Sequence, residues 1–305
     1  MPAPILVFGR SGQVARRLIA TAAERSIPLV ALGRPEIDIA DGASIADAIE
    51  RLKPAVIINA AAHTAVDFAE SEPDAAMAIN ADAPRHMAEG AALNGIPFLH
   101  ISTDYVFDGA KVGAYVETDA TNPLSVYGRS KRSGEEAVMA AHGDGSAIFR
   151  TSWVYDSEGK NFLRTMLRLA ADRPSLKVVD DQFGAPTPAR LIAETLLDIA
   201  DNVVRNGFQD RTGLYHLVAS GETSWNGFAK AIFAEAAARG LPSAEVLPIA
   251  TVDYPTPAVR PKNSRLSTER LQRDYGLAMP DWRVGLAICM DEIAAVTPKA
   301  ESVNG

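Results

Sequence analysis

The sequence predicts an α/β protein built on a doubly wound parallel sheet, with a smaller, mainly helical domain towards the carboxyl terminus. Three observations predict this class. Short apolar runs alternate with helical patterns up to about residue 155, the first run ends in a glycine turn, and the later segments are mostly helical. Strands that alternate with helices form βαβ units, and their right-handed crossovers generate a parallel sheet.

The composition limits the possible partners and location. The chain has 305 residues, of which 47% are hydrophobic and 22% charged, so it can bury a substantial core. Its formal net charge of −8 argues against sequence-independent binding to nucleic acid, which needs a basic surface. Cys289 is the single cysteine, and no apolar stretch is long enough to span a membrane. With no signal-peptide pattern, we expect a cytoplasmic protein without membrane partners.

The first half of the chain contains five predicted strands separated by four predicted helices. The strands are short apolar runs, at 3–9, 27–33, 55–64, 96–103 and 146–155. The helices have apolar residues at helical spacing, at 11–25, 44–54, 73–95 and 125–143. Ser44 is the expected N-cap of the second helix, and Pro54 and Gly95 are expected to end the second and third.

The second half is less regular and is predicted to be mainly helical. Amphipathic patterns indicate helices at 161–171, 188–204, 224–240 and 281–296. Two short strands are predicted between them, at 176–180 and 214–218, and the Pro-rich segment 254–267 is expected to be an ordered loop.

A glycine turn follows the first predicted strand. Gly9 ends that strand and Gly12 opens the first helix. A tight turn needs the positive φ angles that glycine adopts, and a pyrophosphate needs close access to backbone N–H groups at a helix N-terminus. Ala15 holds the third position of the motif, where a small residue lets the helix pack on the sheet. Many strand-to-helix turns favour glycine, but this one opens the first βαβ unit, so we predict a Rossmann-type dinucleotide-binding domain.

We expect two domains that share the chain unevenly. The dinucleotide-binding domain is expected at 1–155, joined by parts of 176–220. The substrate domain is expected to comprise 156–175 and 221–298, followed by a frayed polar tail at 299–305.

The end of the second predicted strand bears on the choice of cofactor. An acidic residue there binds a 2′-hydroxyl group, whereas an arginine binds a 2′-phosphate. Arg34 occupies this place and favours NADPH, while Glu36 two residues later leaves NADH open. The alternative is that Arg34 is a solvated surface residue. Asp38 and Ile39 form a polar and apolar pair suited to the edge and face of an adenine.

Tyr127 and Lys131 are spaced four residues apart, which places them on one face of a helix. Hydride transfer to a ketone leaves negative charge on the oxygen, so a proton donor is needed there. A neighbouring ammonium group favours the phenolate form of a tyrosine and is expected to lower its pKa. The same spacing also arises on ordinary helices. A catalytic role is favoured here because this helix follows a strand of the predicted sheet.

Ser102, Thr103 and Asp104 stand at the end of the strand that precedes this helix. Ligands of doubly wound sheets bind beyond the carboxyl ends of the strands, so we expect these residues at the mouth of the cleft. A hydroxyl group there can hydrogen-bond the substrate oxygen and stabilise its developing charge.

Several strings resemble one enzyme family. Gly-x-x-Gly, NAAAHTAVD, STDYVFDG and YGRSK are similar to the extended short-chain dehydrogenase/reductase family. TSWVY, NFLRTML, VVDDQFGAPTPA and RPKNSRLS resemble its dTDP-4-dehydrorhamnose reductase branch, and the resemblance covers about residues 4–290. It implies reduction of the C4 ketone of dTDP-4-dehydro-β-L-rhamnose to dTDP-β-L-rhamnose, with NADPH or NADH as hydride donor.

The resemblance also implies roles for single residues. Tyr127 would donate the proton, Lys131 would tune it and hold the nicotinamide ribose, and Thr103 would bind the keto oxygen. The implied cofactor residues, besides Tyr127, Lys131 and Arg34, are Gly9, Ser11, Gly12, Gln13, Val14, Asp38, Ile39, Ala60, Ala61 and Thr64. The implied substrate residues are Ser102, Thr103, Asp104, Tyr105, Tyr127, Trp153, Asn161 and Arg260, with Asn263 and Ser264 shaping the last loop.

Three of these assignments need comment. Tyr105 has no lysine four residues on, since position 109 is glycine, so it is assigned to binding rather than proton transfer. Asn161 and Arg260 are expected to reach the diphosphate, for which arginine's planar fork is suited. Trp153 is expected at the sugar pocket, and its alternative is a core aromatic residue.

The sequence departs from the family in one respect. Some members are dimers bridged by Mg²⁺ bound to glutamates, one of them in the first helix. Here Arg16 and Arg17 occupy that helix and Arg190 the helix where a second ligand would lie. Because arginines repel a cation, we expect no Mg²⁺ site and a monomer or a weak homodimer not bridged by metal. Asp291 and Glu292 are then expected to be a solvated helix face.

Two other functions remain open at this level. A nucleotide-sugar epimerase or dehydratase of the same family would keep the tyrosine and lysine, but a dehydratase needs an acid–base pair beside the threonine. Asp104 is present without a following glutamate. A non-catalytic subunit related to the regulatory subunit of methionine adenosyltransferase would bind the cofactor and a protein partner, and would not need the complete set of Thr103, Tyr127 and Lys131.

Overall fold

The computed structural model describes residues 3–296, so the tail predicted at 299–305 lies outside the described residues. The strands are β1 (Ile5–Phe8), β2 (Leu29–Leu32), β3 (Val56–Asn59), β4 (Phe98–Thr103), β5 (Ser146–Thr151), β6 (Val154–Tyr155), β7 (Ser175–Val179), β8 (Phe183–Gly184), β9 (Thr187–Pro188), β10 (Gly213–His216), β11 (Thr223–Ser224), β12 (Glu245–Ile249) and β13 (Asn263–Ser264).

The α-helices account for most of the remaining chain. They are α1 (Gln13–Glu24), α2 (Gly42–Leu52), α3 (Val66–Ala69), α4 (Pro73–Met77), α5 (Ala83–Leu93), α6 (Val126–His142), α7 (Phe162–Ala170), α8 (Ala189–Asn206), α9 (Trp225–Ala238), α10 (Glu269–Tyr275) and α11 (Trp282–Val296). A π-helical turn, Ala78–Asp82, joins α4 to α5.

The central sheet has six strands in the order β2-β1-β3-β4-β5-β10, and each neighbouring pair is parallel. The chain passes from β1 to β2 on one side and returns to β3 on the other. This reversal of strand order opens a crevice at the carboxyl ends of β1 and β3, where doubly wound sheets bind ligands. The predicted α/β fold class is confirmed.

Helices cover both faces of the sheet because its short strands are apolar on both sides. Ile5 and Val7 of β1 pack towards α1 and α8, whereas Leu6 and Phe8 pack towards α2, α5 and α6. All four β1 residues are buried, as expected for the inner strand of a parallel sheet. The crevice therefore rests on a rigid frame.

Three local predictions were wrong. Asp41, not Ser44, is the N-cap of α2: its carboxylate accepts from the Ala43 backbone N–H, and Ser44 lies in the first turn. The single helix expected at 73–95 is interrupted by the π-helical turn. The strand expected at 146–155 breaks at Trp153, whose φ of +50° cannot continue an extended strand.

A second hydrophobic cluster lies among α7, α9, α11 and the parallel pair β7 and β12. The sequence did not predict β12 or α10, because neither has a strong apolar pattern. α8 packs with α1 over the central sheet, and β10 extends that sheet next to β5. The domain boundaries given above remain a prediction. No helix within residues 3–296 is long and apolar enough to cross a membrane.

Candidate active site

A cavity of about 1030 Å³ lies at the carboxyl ends of the central strands. Nearly every residue that the sequence singled out lines it. These are Gly9, Ser11, Gly12, Gln13, Val14, Arg34, Asp38, Ile39, Ala60, Ala61, Thr64, Ser102, Thr103, Asp104, Tyr105, Tyr127, Lys131, Trp153 and Asn161. Arg260 does not line this cavity, and neither do Asn263 and Ser264 of the same loop.

The glycine turn has the shape of a phosphate cradle. Gly9 has a φ of +111°, and a Cβ there would lie 3.0 Å from the carbonyl carbon of Ala60 and the amide nitrogen of Ala61. Gly12 is the N-cap of α1 and offers no side chain to the N–H groups of the first turn. These N–H groups can therefore bind an anion that approaches the helix end.

Three charged side chains lie near the end of β2, and two of them form an ion pair. The guanidinium of Arg10, which directly follows Gly9, forms an ion pair with Glu36. Arg34 lines the cavity and has no ion-pair partner within residues 3–296. The negative charge of Glu36 is thus directed at Arg10. Sequence reasoning missed Arg10, although its position within the glycine motif could have indicated it.

Tyr127 and Lys131 face the cavity from the first turns of α6. Ser125 begins this helix by accepting a hydrogen bond from the Gly128 backbone N–H. A Cβ at Gly128 would lie 2.2 Å from the carbonyl oxygen of Tyr105, so only glycine lets α6 approach the segment after β4 this closely. This contact brings the phenol of Tyr127 close to Thr103, whose hydroxyl donates to Asp104 at 3.1 Å.

Lys131 is held by groups on β3 and β4. Its Nζ donates to the carbonyl oxygen of Ile101 at 2.7 Å and lies 3.4 Å from Nε2 of His100. Nδ1 of His100 lies 3.0 Å from Nδ2 of Asn59, whose Oδ1 accepts from the Ala61 N–H. His100 is completely buried, which lowers its pKa well below the ordinary value and keeps it neutral. The lysine is thereby joined to the segment that follows β3.

Burial sets the proton affinities in the cavity wall. It raises the pKa of Tyr127 to about 12, against a smaller lowering by the Thr103 hydroxyl. This direction is opposite to the expected lowering by Lys131, because desolvation of the phenolate outweighs other influences. Burial also lowers the pKa of Lys131 to about 8 and raises the pKa of Asp104 to about 6. At neutral pH the phenol is protonated and the lysine is mainly an ammonium ion.

Tyr105 packs edge-on against Tyr127, with ring centroids 5.4 Å apart. Burial raises its pKa as well. Beside it, Arg260 forms a bidentate pair with Asp67, at 2.7 and 3.0 Å. Arg260 is therefore bound to a carboxylate in this structure, and its predicted contact with a diphosphate remains a prediction.

Asn161 and Ser102 line the cavity, but their side chains make local hydrogen bonds. Asn161 caps α7 by accepting from the Arg164 N–H, and its amide donates to the Asp156 carbonyl at 2.8 Å. The hydroxyl of Ser102 donates to Glu135 at 2.6 Å. Both groups would have to exchange a partner in order to contact a substrate.

A buried ion pair supports the site from behind. Glu135 accepts from Nε and Nη2 of Arg150, each at 2.7 Å, and both side chains are almost completely buried. The pair ties α6 to β5, and Ser102 ties it to β4. Glu135 was missed, although it continues the four-residue spacing of Tyr127 and Lys131 along the helix.

Arginines surround the acidic groups near the start of α1. Nε of Arg17 donates to Asp156 at 2.8 Å, and its guanidinium also pairs with Glu292. Arg190 donates to Glu292 at 3.1 Å. Glu292 is half-buried in this network, so its assignment to a solvated face was wrong, whereas Asp291 is exposed and pairs with Arg239.

The absence of a Mg²⁺ site remains a prediction. Ligand atoms of Asp156, Cys289 and Glu292 lie within 4.8 Å of one another, as a cation site would require. Arg17 already brings a positive charge to both carboxylates, which opposes the binding of a cation.

Known proteins resemble this chain over nearly its whole length. The family model described as RmlD substrate binding domain matches residues 3–295. A dTDP-4-dehydrorhamnose reductase of Sinorhizobium fredii is 45% identical over 281 residues, which cover 91% of this chain and 93% of that protein. A protein of the same name from Escherichia coli is 44% identical over 307 residues, which cover 96% of this chain and 99% of that protein.

A solved structure agrees in fold as well as in sequence. It is the crystal structure of dTDP-4-dehydrorhamnose reductase from Bacillus anthracis in complex with NADP. The two chains superpose with a TM-score of 0.86 and are 33% identical, over 96% of this chain and 100% of the other.

Proposed function

This chain belongs to the family described as RmlD substrate binding domain, and on that premise we propose that it reduces the C4 ketone of dTDP-4-dehydro-β-L-rhamnose to dTDP-β-L-rhamnose with NADPH. It is an oxidoreductase, as its relatives are named. The observation that carries the proposal is the convergence of Thr103, Tyr127 and Lys131 on a cavity that begins at a glycine-rich phosphate cradle.

The part of the cavity assigned to the cofactor suits a dinucleotide that carries a 2′-phosphate. Gly9 and Gly12 leave backbone N–H groups open to a pyrophosphate, because a side chain at Gly9 would contact the segment after β3. Arg34 offers an unpaired guanidinium for a 2′-phosphate, while Arg10 neutralises Glu36. When bound, NADPH supplies the hydride that reduces the ketone.

Tyr127 is suited to donate the proton. As the C4 carbon receives the hydride, the π electron pair of the carbonyl bond moves to the oxygen, and the oxygen takes the proton of the phenol. Because burial keeps the pKa of Tyr127 at about 12, the donor is fully protonated before the reaction. The hydroxyl of Thr103 hydrogen-bonds the keto oxygen and shares its developing charge.

Lys131 stabilises the state that follows proton donation. The phenolate left on Tyr127 is favoured by a nearby ammonium group. Lys131 is positioned for this by the Ile101 carbonyl and by the contact with His100. We also assign Lys131 to the ribose of the cofactor, and its position four residues from Tyr127 on α6 supports this.

The rest of the cavity is assigned to the nucleotide sugar. In the part of the chain that the structure describes, no hydrogen-bond partner reaches Oδ2 of the buried Asp104 carboxylate, so we assign this oxygen to accept from a sugar hydroxyl. Tyr105 and Trp153 contribute aromatic surface to the cavity wall. We assign Asn161 and Arg260 to the diphosphate, each after exchange of its present partners.

A direct assay tests the proposal. The purified protein is mixed with NADPH and freshly generated dTDP-4-dehydrorhamnose, and both the absorbance of NADPH and the NMR spectrum of the sugar are followed. We expect one NADPH to be oxidised for each dTDP-β-L-rhamnose formed. Interconversion of sugars without net NADPH oxidation would instead indicate an epimerase, and NADPH binding without any turnover would indicate a binding protein.

A further inference from the structure

Two indoles form a stacked pair in the wall of the cavity. The rings of Trp153 and Trp225 lie 3.6 Å apart between centroids and are inclined by only 11°. Both residues line the cavity and both are half-buried. Trp282, which fills the core, is almost completely enclosed, whereas this pair keeps part of its surface open to the cavity.

The backbone of Trp153 is held in an unusual conformation. Its φ of +50° is costly for a bulky residue and persists only where the surroundings enforce it. The Thr187 N–H donates to the Trp153 carbonyl, and β6 begins immediately afterwards by pairing with β9. The left-handed turn directs the side chain of Trp153 away from the path of β5 and towards the cavity.

Gly184 provides the space that the indole of Trp153 occupies. A Cβ at Gly184 would lie 2.8 Å from Cε2 and 3.0 Å from Nε1 of Trp153. The ring thus meets the backbone of β8 at Cε2 and Nε1 and stacks on Trp225 through one face. Three independent features, the backbone turn, the missing side chain and the stacked ring, determine one orientation of Trp153.

Trp225 is anchored to the core of the carboxyl-terminal half. It is the first residue of α9, whose N-cap Ser224 accepts from the Gly227 N–H at 2.9 Å. Phe162 packs on it at 4.6 Å, and Phe228 follows at 6.4 Å. Trp225 therefore connects the ring of Trp153 to a rigid aromatic cluster.

We propose that Trp225 is a positioning residue that holds Trp153 as the platform on which the sugar ring of the nucleotide sugar packs. The inference rests on the proposed function and adds a residue that affects binding of the sugar, through Trp153, rather than binding of the nucleotide. A 6-deoxyhexose has an apolar surface of C–H groups and a methyl group, which packs well on the face of an indole. A fixed platform would hold C4 of that ring in front of Tyr127 and Thr103.

The test compares the affinity for dTDP with the affinity for dTDP-β-L-rhamnose. Trp225→Ala, Trp225→Phe, Trp153→Ala and the double alanine variant are measured by isothermal titration, with Trp282→Phe as control for a destabilised core. Trp225→Ala is expected to weaken binding of the sugar nucleotide about three- to tenfold and to leave dTDP unchanged. KM should rise by the same factor with kcat nearly constant, and Trp225→Phe should retain most of the affinity.

The double variant separates positioning from direct contact. If Trp225 acts through Trp153, the double variant binds the sugar nucleotide no more weakly than Trp153→Ala alone. Gly184→Ala should reproduce the loss, because it displaces Trp153 without removing any ring. The exciton couplet of stacked indoles in far-ultraviolet circular dichroism should be lost in Trp225→Ala and retained in Trp282→Phe.

Distinct outcomes overturn the inference and the proposed function. Additive losses in the double variant, equal losses for dTDP and the sugar nucleotide, or unchanged binding in Trp225→Ala would each overturn the role of Trp225. The proposed function would still stand after any of these three results, provided that the wild-type protein oxidises NADPH with the expected substrate. A wild-type protein that binds neither dTDP-β-L-rhamnose nor its 4-keto precursor would overturn the proposed function itself.

Discussion

The ionisation of Lys131 should be visible in the pH dependence of the reaction. Because burial lowers the pKa of its ammonium group to about 8, the charge that stabilises the phenolate of Tyr127 is lost as the pH rises through that value. We expect kcat/KM to fall on the alkaline side with an apparent pKa near 8, since this ratio reports the free enzyme. Initial rates between pH 6 and 10 at low substrate concentration, on the order of a tenth of KM, measure it.

Lys131→Arg is the control for this assignment. A guanidinium stays charged over the whole range, so the variant should be slower but should lose the alkaline fall. An unchanged alkaline limb in Lys131→Arg would assign that limb to another group.

Arg34 should control the choice between the two nicotinamide cofactors. Without its guanidinium, a 2′-phosphate loses an ionic partner, whereas NADH has no such group to lose. Arg34→Ala is expected to raise the KM for NADPH roughly five- to tenfold and to leave the KM for NADH nearly constant. Arg25→Ala is the matched control, because Arg25 is exposed and pairs with Asp198 outside the cavity. Equal changes for both cofactors would remove Arg34 from the 2′-phosphate site.

At the scale of residues, the sequence predicted best those groups whose spacing reflects chemistry. Gly9, Gly12, Tyr127 and Lys131 follow local patterns, so their meeting in one cavity could be foreseen. Trp225 could not, because its partner Trp153 is far away in the chain and no local pattern links them. The proton affinity of Tyr127 also depends on burial, which no spacing reveals.

Gly128 decides how closely α6 approaches the catalytic strand. A methyl group at this position would meet the Tyr105 carbonyl oxygen at 2.2 Å, so Gly128→Ala must push the helix away. We expect a loss of about 1–3 kcal/mol in the free energy of unfolding, because overpacking forces backbone shifts. A larger proportional fall in kcat than in NADPH affinity is also expected, since Tyr127 moves with the helix.

Gly143→Ala provides the comparison at the other end of α6. There an added Cβ meets only the flexible end of Met139, at 3.4 Å. Urea denaturation and steady-state kinetics should leave this variant close to wild type. If Gly128→Ala were equally harmless, the close approach of α6 would not be needed for activity.

Helices and strands with a clear pattern of apolar residues were predicted closely, whereas those that depend on tertiary contacts were not. The strands β1 and β4 and the helices α6 and α8 follow from apolar runs and helical spacing, whereas β3 ends at Asn59, five residues before the predicted end. The π-helical turn at Ala78–Asp82 lies within a continuous helical pattern and coincides with a tertiary contact. A Cβ at Gly134 would lie 2.0 Å from the Asn80 carbonyl oxygen, so α6 packs directly on the backbone of that turn.

For the whole molecule, the arginine network near α1 predicts indifference to Mg²⁺. Arg17 and Arg190 already satisfy Glu292, so a cation gains no free carboxylate there. Sedimentation velocity should give the same distribution of species with Mg²⁺, with EDTA, and with NaCl at matched ionic strength. A dimer fraction that rises with Mg²⁺ and disappears with EDTA would contradict this expectation.

The general architecture was open to prediction because parallel sheets impose simple rules on connection and handedness. The interweaving of the two halves was harder to foresee. β10 returns to the central sheet after α7 and β7 have joined the other cluster, and short pairs such as β6 with β9 carry no sequence pattern of their own. The Arg17 network was unforeseen for the same reason, since it joins positions more than a hundred residues apart.

The central claim is that Tyr127 donates the proton in reduction of a nucleotide-linked ketone. Its most direct test is a single-turnover experiment in which Tyr127→Phe, saturated with NADPH, is mixed with dTDP-4-dehydrorhamnose. The account predicts that NADPH binds as in the wild type while the rate of its oxidation falls by about 10²- to 10⁴-fold. Oxidation of NADPH at the wild-type rate would contradict it and would require another proton donor.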